Sequence, residues 1–143
     1  GMSDLAHVSP KVAYQYLQDN PENSILVDIR SSMEYLFVGH PTGSIHIAWI
    51  DEPDWDVNPN FCEEVKQALA RRCGESKDPL KDGAVVLCCR SGKRTLDAGA
   101  KLLESGFRQV LHIDEGFEGD RDDDYHRSTL GGWRFHGLPW EQC

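Results

Sequence analysis

The sequence predicts a single, doubly wound α/β domain over residues 1–143, with a mainly parallel sheet of about five strands and helices on both faces. Short apolar runs alternate along the chain with segments whose apolar residues recur at helical spacing. That alternation is typical of parallel α/β sheets. The length of 143 residues fits one hydrophobic core, since single domains commonly have about 100–150 residues.

The first part of the chain predicts one capped helix and two short strands. Ser9 and Pro10 suit the N-cap and the first position of a helix that stops at Asn20-Pro21. The apolar run 25–29 predicts a buried strand, and residues 44–49 predict another. Between these two strands, residues 31–37 predict one or two helical turns. The following segment, 51–60, is acidic, contains two prolines and is expected to be a loop.

The second part continues the same alternation. Residues 61–73 have helical spacing and end at Gly74, whereas 75–83 is polar and predicts a loop. Residues 84–88 form the most apolar strand candidate, and 93–105 and 109–113 predict the next helix and the last strand. Beyond these lies 115–124, with six acidic residues and one basic residue, which is expected to be a solvated loop.

Charge and cysteine content narrow the class of protein. Fifteen basic and twenty-four acidic residues give a net charge of −9, which argues against a sequence-independent nucleic-acid binder. The chain shows no apolar run long enough for a membrane span and no signal-peptide pattern, and Gly1 resembles a remnant of tag cleavage. An odd number of cysteines without zinc spacing indicates free thiols in a reducing, cytoplasmic setting. The five are Cys62, Cys73, Cys88, Cys89 and Cys143.

The strongest candidate for chemistry follows the most apolar strand. Cys89 stands at the strand end, Gly92 permits a tight loop whose N–H groups can turn inward, and a helix begins directly afterwards. Three cations, Arg90, Lys93 and Arg94, lie within five residues of the thiol. A helix N-terminus and nearby cations lower a cysteine pKa from about 8.5 to about 3.5–7.5. The pattern therefore predicts a thiolate nucleophile in a cradle for a small anion.

Two structural alternatives compete with this interpretation. Either cysteine could be a core thiol, but neighbouring residues of a strand face opposite sides, so Cys88 is expected in the core and Cys89 in the loop. The basic cluster could also be a solvated helix start, although cations there oppose the helix dipole. A nucleophile at Cys89 further requires that solvent reaches its sulfur.

The run Cys89-Arg90-Ser91-Gly92-Lys93-Arg94-Thr95 resembles the active-site loop of rhodanese-like sulfurtransferases. Three other stretches are similar to the same family in the same order, and the resemblance spans roughly residues 5–140. The family fold is a small doubly wound α/β domain. The three stretches are 26–30 with Glu34-Tyr35, 39–47, and Gly132-Trp133 with Gly137-Leu138-Pro139.

The resemblance implies that Cys89 takes up a sulfane sulfur as a persulfide and passes it to a thiol or cyanide, in a ping-pong scheme. Arg90, Lys93 and Arg94 would hold the sulfonate of the donor, usually thiosulfate. A sulfur-relay protein is a further expected partner. The resemblance implies neither a metal nor an organic cofactor, and it implies no binding to nucleic acid or to a membrane. The substrate-binding residues implied by the resemblance are Arg90, Ser91, Gly92, Lys93, Arg94 and Thr95.

Two other functions stay open. One is a sulfur-carrier or partner-binding module that forms the persulfide without turnover. The other is a phosphatase or arsenate reductase, but related cysteine phosphatases place an arginine six positions after the nucleophile. Thr95 occupies that position here, and Arg94 comes one residue earlier.

Further residues are interpreted as structure. Asp28, Arg30 and Glu34 are expected to form a scaffold of ion pairs, and His46 and His112 are expected to pack or hydrogen-bond within strands. Residues 120–130 look inserted relative to the family, and Cys143 is a weaker candidate for resolving a disulfide with Cys89.

Overall fold

The computed structural model describes residues 4–143, so the interpretation of Gly1 lies outside the described residues. The described residues form seven strands and four α-helices, together with one π-helical turn at Glu34–Val38. The strands are β1 (Ala6–Val8), β2 (Ser24–Asp28), β3 (His40–Pro41), β4 (Ile45–His46), β5 (Ala84–Cys88), β6 (Gln109–Ile113) and β7 (Trp140–Glu141). The α-helices are α1 (Pro10–Asp19), α2 (Phe61–Cys73), α3 (Pro79–Asp82) and α4 (Arg94–Glu104).

Five strands form one parallel sheet in the order β1–β6–β5–β2–β4, which confirms the predicted fold class. β5 lies at the centre, so the loop that follows it emerges in the middle of the sheet's carboxyl edge, where parallel α/β folds bind ligands. A separate antiparallel pair, β3 with β7, attaches the C-terminal end to the segment after the π-helical turn.

Helices cover both faces of the sheet. The central strands β2 and β5 are therefore buried along their whole length. One face packs against α2 and α4 around Val27, Leu87 and Leu102. The other face packs against α1 and the C-terminal segment around Val86, Phe117 and Trp133. The two apolar clusters explain why the strands read as unbroken apolar runs rather than alternating ones.

A local signal accounts for the start of α1. Ser9 accepts a hydrogen bond from the Val12 N–H at 3.2 Å, and Pro10 follows at the first helical position, as predicted. α2 has the predicted bounds, and α4 begins one residue later than predicted. Within residues 4–143, no helix combines the length and the hydrophobicity of a membrane span.

The prediction of a solvated loop over 115–124 is wrong for its first half. Phe117 is fully buried, and the largely buried Glu118 lies 4.0 Å from both Arg30 and Arg134. The ring of Phe117 packs in the core, and the adjacent Glu118 is therefore also largely shielded from solvent. The strand expected over 44–49 is also wrong in extent, because only Ile45–His46 pairs within the sheet.

Candidate active site

The loop after β5 is fixed by close backbone contacts. Gly92 has a φ of 90°, and a Cβ atom there would overlap the Asp114 carbonyl. Gly116 lies equally close to the backbone of Arg90 and Ser91, where a Cβ would meet atoms at 2.5–2.6 Å. Two glycines thus let the loops after β5 and β6 interlock, because neither position has room for a side chain.

The sulfur of Cys89 lies inside this loop. It accepts a hydrogen bond from the Gly92 N–H at 3.2 Å and lies 3.6 Å from the Thr95 hydroxyl. The N-cap residue of α4, Lys93, makes no side-chain capping bond, and the acidic residue of the first turn is Asp97. The positive end of the helix therefore lies beside the loop without a side-chain cap. These groups favour an anion at the sulfur position.

The expectation that solvent reaches this sulfur is wrong for the structure as it stands. Cys89 is 1% exposed and packs in the α2–α4 cluster. It is held there because Thr95, on the first turn of α4, and Gly92 close over the sulfur from the loop side. A substrate therefore needs a displacement of the loop or of side chains at its mouth.

Cys88 faces the opposite side of the sheet, as predicted. It packs with Val86 and Trp133 in the other apolar cluster, and its thiol donates to the Cys89 carbonyl at 3.5 Å. Burial, reinforced by the charge of Asp28, raises the pKa of the Cys88 thiol well above its ordinary value. Cys88 is therefore a protonated core thiol at neutral pH.

The three cations of the loop differ in their surroundings. Arg90 and Lys93 are exposed, whereas Arg94 forms a bidentate pair with Glu34 at 2.8 and 2.9 Å. Burial opposes ionisation of Glu34, but the hydrogen bonds and charge of Arg94 outweigh it and lower the carboxyl pKa to about 2. Ser91 lies between these cations and is half-buried.

The expected scaffold of Asp28, Arg30 and Glu34 forms in part. Arg30 is fully buried, donates from Nε and Nη2 to Asp28 at 2.9 and 2.7 Å, and stacks over the Phe117 ring at 4.6 Å. Glu34 joins Arg94 and Ser31 instead. One ion pair thus supports the core behind Cys88, and another stands beside the Cys89 loop.

Two arginines near the loop were missed from sequence. A pocket of about 270 Å³ lies beside Lys93 and is completed by the segment 120–127. Arg121 and Arg127 line it, and burial together with the charge of Arg90 lowers the pKa of Arg127. Their segment is mostly acidic in sequence, so its composition gives no indication that two arginines lie beside the loop. Asp122, however, is occupied by its own turn, accepting from the N–H groups of 124 and 126 and from the Thr129 hydroxyl.

Comparison with known proteins agrees with this architecture. The rhodanese-like domain family matches residues 9–123, and the chain belongs to that family. The crystal structure of Rv0390 from M. tuberculosis is 32% identical, with a TM-score of 0.80, over 99% of this chain and 100% of that one.

Two more distant similarities extend the comparison. Uncharacterized protein RC0915 of Rickettsia conorii is 28% identical over 134 residues, which cover 90% of this chain and 91% of that protein. A polysulfide-sulfur transferase homodimer from Wolinella succinogenes is 24% identical, with a TM-score of 0.56, over 97% of this chain and 80% of that one. At that identity the second similarity concerns the fold alone.

Proposed function

We propose that this protein is a sulfurtransferase that moves a sulfane sulfur from thiosulfate, or a similar donor, to a thiophilic acceptor through a persulfide on Cys89. The observation that carries the proposal is the hydrogen bond from the Gly92 N–H to the Cys89 sulfur, at the start of α4. A backbone donor and a helix N-terminus both stabilise the thiolate over the thiol.

The reaction has two displacement steps at sulfur. The Cys89 thiolate attacks the outer sulfur of thiosulfate, a new S–S bond forms, and the donor's S–S bond breaks as sulfite leaves with the electron pair. The outer sulfur of the persulfide then carries the negative charge. A cyanide ion or a thiolate attacks that sulfur, and the Cys89 thiolate leaves. The covalent intermediate divides the transfer into two easier steps.

The cations divide the work of binding the donor. Arg90 and Lys93 are exposed at the mouth of the loop, so they are available to a sulfonate group. Both terminal nitrogens of Arg94 are held by Glu34, so Arg94 contributes mainly the field of a fixed positive charge. Arg121 and Arg127 add positive charge beside Lys93, which the aspartates 120 and 122 of the same pocket offset in part.

The burial of Cys89 favours a second candidate, a sulfur carrier without robust turnover. A thiol that is 1% exposed could accept sulfur from a partner protein that opens the loop, and exchange slowly with small molecules. For either candidate we propose a reducing, cytoplasmic setting, which suits a thiol-dependent site; the cysteines of the described residues are all free.

Intact-mass measurement after incubation with thiosulfate tests the proposal. We expect the wild-type protein to gain one sulfur atom and Cys89→Ser to gain none. Cys143→Ser is the control, because it removes an exposed terminal thiol and is expected to gain sulfur like the wild type. An unmodified wild-type protein would contradict the donor assignment. If the persulfide forms but little thiocyanate is produced from cyanide, the result would favour the sulfur carrier over the sulfurtransferase.

A further inference from the structure

A continuous chain of hydrogen bonds leads away from the buried sulfur of Cys89. The Thr95 hydroxyl lies 3.6 Å from this sulfur and 2.8 Å from Nδ1 of His112. Nε2 of His112 lies 2.6 Å from Nδ1 of His7. We call Thr95, His112 and His7, in this order, the histidine relay.

The relay connects the interior to the surface. Thr95 and His112 are 0% and 2% exposed, whereas His7 is exposed. β1 and β6 pair in parallel with His7 opposite His112, and this register sets the two imidazoles edge to face, 4.5 Å apart. The chain therefore starts at a sulfur that water does not contact and ends at the solvent beside the edge strand.

We propose that the histidine relay carries the thiol proton of Cys89 to solvent and so generates the nucleophile while the loop stays closed. The proposal rests on the function assigned to Cys89 above. The proposal assigns catalytic support to His112, which the sequence indicates only as a strand residue, and to His7, which the sequence does not indicate.

The transfer keeps every hydrogen bond and only reverses its direction. Initially the thiol donates to Thr95 Oγ1, the hydroxyl donates to Nδ1 of His112, and Nε2–H of His112 donates to His7. One proton moves along each bond, and Nε2 of His7 releases a proton to water. Afterwards Nδ1–H of His112 donates to the hydroxyl, which donates to the thiolate. No oxidant or other reactant is needed.

The state of His112 suits this role. Burial, together with the neighbouring His7, lowers the pKa of His112 to about 4. The imidazole is therefore neutral at neutral pH, with one nitrogen that accepts and one that donates, as a proton relay requires. The hydroxyl that ends as a donor to the thiolate also stabilises it, because hydrogen bonds to charged groups are the stronger ones.

Other ionisable groups also act on Cys89 and have to stay constant in a test. They are Arg94 at the start of α4 and Cys88 in β5. Glu34 acts through its pair with Arg94, and Arg90 and Lys93 belong to the loop itself. The two variants used to test the relay leave all of these residues unchanged.

The tautomer of His112 tests the relay directly. Nitrogen NMR of the histidine side chains, recorded across pH, distinguishes Nδ1–H from Nε2–H. Alkylation of Cys89 with chloroacetamide, mapped by mass spectrometry, gives the ionisation midpoint of the thiol independently. We expect His112 to change from the Nε2–H to the Nδ1–H form at the pH where Cys89 ionises. The control, His126, is exposed and outside the relay, so its nitrogen signals are expected to be the same in the wild-type protein and in Cys89→Ala.

Two variants separate the relay from a structural role. In Cys89→Ala the tautomer change is expected to disappear. A change that persists would belong to protonation of His7 and would overturn the proposal. In Thr95→Val we expect His112 to keep one tautomer and the Cys89 midpoint to rise by about one pH unit, since a hydrogen bond to a charged group is lost. An unchanged midpoint with an unchanged tautomer switch would also overturn it.

The same measurements distinguish this proposal from the proposed function. Neither NMR nor alkylation requires a sulfur donor. A tautomer switch in a protein that takes up no sulfur from thiosulfate would retain the relay and reject the transfer activity. Sulfur uptake by a protein in which His112 holds one tautomer throughout would retain the activity and reject the relay.

Discussion

Cys88 and Cys89 are adjacent, free and both buried, yet their surroundings assign them different chemistry. Cys88 is 0% exposed and Cys89 is 1% exposed, so exposure does not separate them. Their hydrogen bonds do, because the Cys88 thiol donates to a carbonyl, whereas the Cys89 sulfur accepts a backbone N–H. A donor directed at sulfur favours the thiolate, and a carbonyl acceptor favours the thiol. Reactivity at this strand end therefore depends on hydrogen-bond polarity.

The charges around the two sulfurs differ in the same sense. Asp28 lies opposite Cys88 in the β2–β5 register, where its charge, with burial, keeps that thiol protonated. Arg94 lies beside Cys89, and the charge of the Cys89 thiolate is one of the causes that raise the pKa of Arg94, after its pair with Glu34. The last residue of β5 thus lies beside the buried ion pair of Asp28 with Arg30, and the residue after it lies beside the guanidinium of Arg94.

Gly92→Ala is expected to have the largest effect on this difference. The new Cβ would overlap the Asp114 carbonyl at a φ of 90°, so the loop must shift and the N–H would leave the Cys89 sulfur. We expect sulfur uptake to be lost. The free energy of unfolding should fall by more than about 1–2 kcal/mol, the usual cost of left-handed backbone for a non-glycine residue. Mass measurement and denaturant titration check these two results.

Gly43→Ala is the matched control for that variant. Gly43 has a similar φ of 84°, but no atom lies within 4 Å of an added Cβ. It should therefore show the backbone cost without the loss of sulfur uptake. Equal losses of uptake in both variants would mean that the Gly92 N–H is not what distinguishes Cys89 from Cys88.

Glu34→Gln tests the ion pair on the Cys89 side. The folded-state pKa of Glu34 is lowered from 4.5 to about 2, so the pair stabilises the fold above about pH 4.5. That contribution is lost as the pH falls through about 2. At neutral pH we expect the free energy of unfolding to fall by about 1–2 kcal/mol, allowing for partial exposure. The difference from wild type should vanish toward pH 2.

Denaturant titrations at several pH values measure this dependence. Glu104→Gln is the control, because Glu104 forms an exposed pair with Lys101 at 3.7 Å and should change stability little at any pH. If Glu34→Gln lowered stability by the same amount at pH 2 and at pH 7, the loss would come from packing and not from the charge of Glu34.

The sequence predicts those parts of the fold whose signals are local. α2, β5 and β6 have their predicted bounds. α2 shows helical spacing, β5 is a fully buried apolar run, and β6 is buried in four of its five residues. β1 has three residues, two of them exposed, and pairs only along one edge of the sheet. It carries no comparable signal, although it places His7 beside His112.

The candidate active site also has a part that the sequence predicts and a part that it does not. The loop from Cys89 to Thr95 is contiguous, so its residue types alone indicate an anion cradle. The contacts that define its chemistry join distant parts of the chain. The Arg94–Glu34 pair spans 60 residues and the His112–His7 contact spans 105. Such pairs follow from strand register and helix packing, which a pattern of residues does not specify. The burial of Cys89 likewise results from loop closure.

Cys88→Ala is expected to have the smallest effect. The Cys88 sulfur packs in the core and only donates to a carbonyl, so its removal should leave sulfur uptake at Cys89 unchanged. The free energy of unfolding should fall by about 1 kcal/mol, because a small cavity replaces the sulfur. Mass measurement after thiosulfate and denaturant titration check both results. A variant that folds with wild-type stability and takes up no sulfur would show that the two thiols act together. Hydrogen-bond polarity at Cys89 would then not suffice to explain its reactivity.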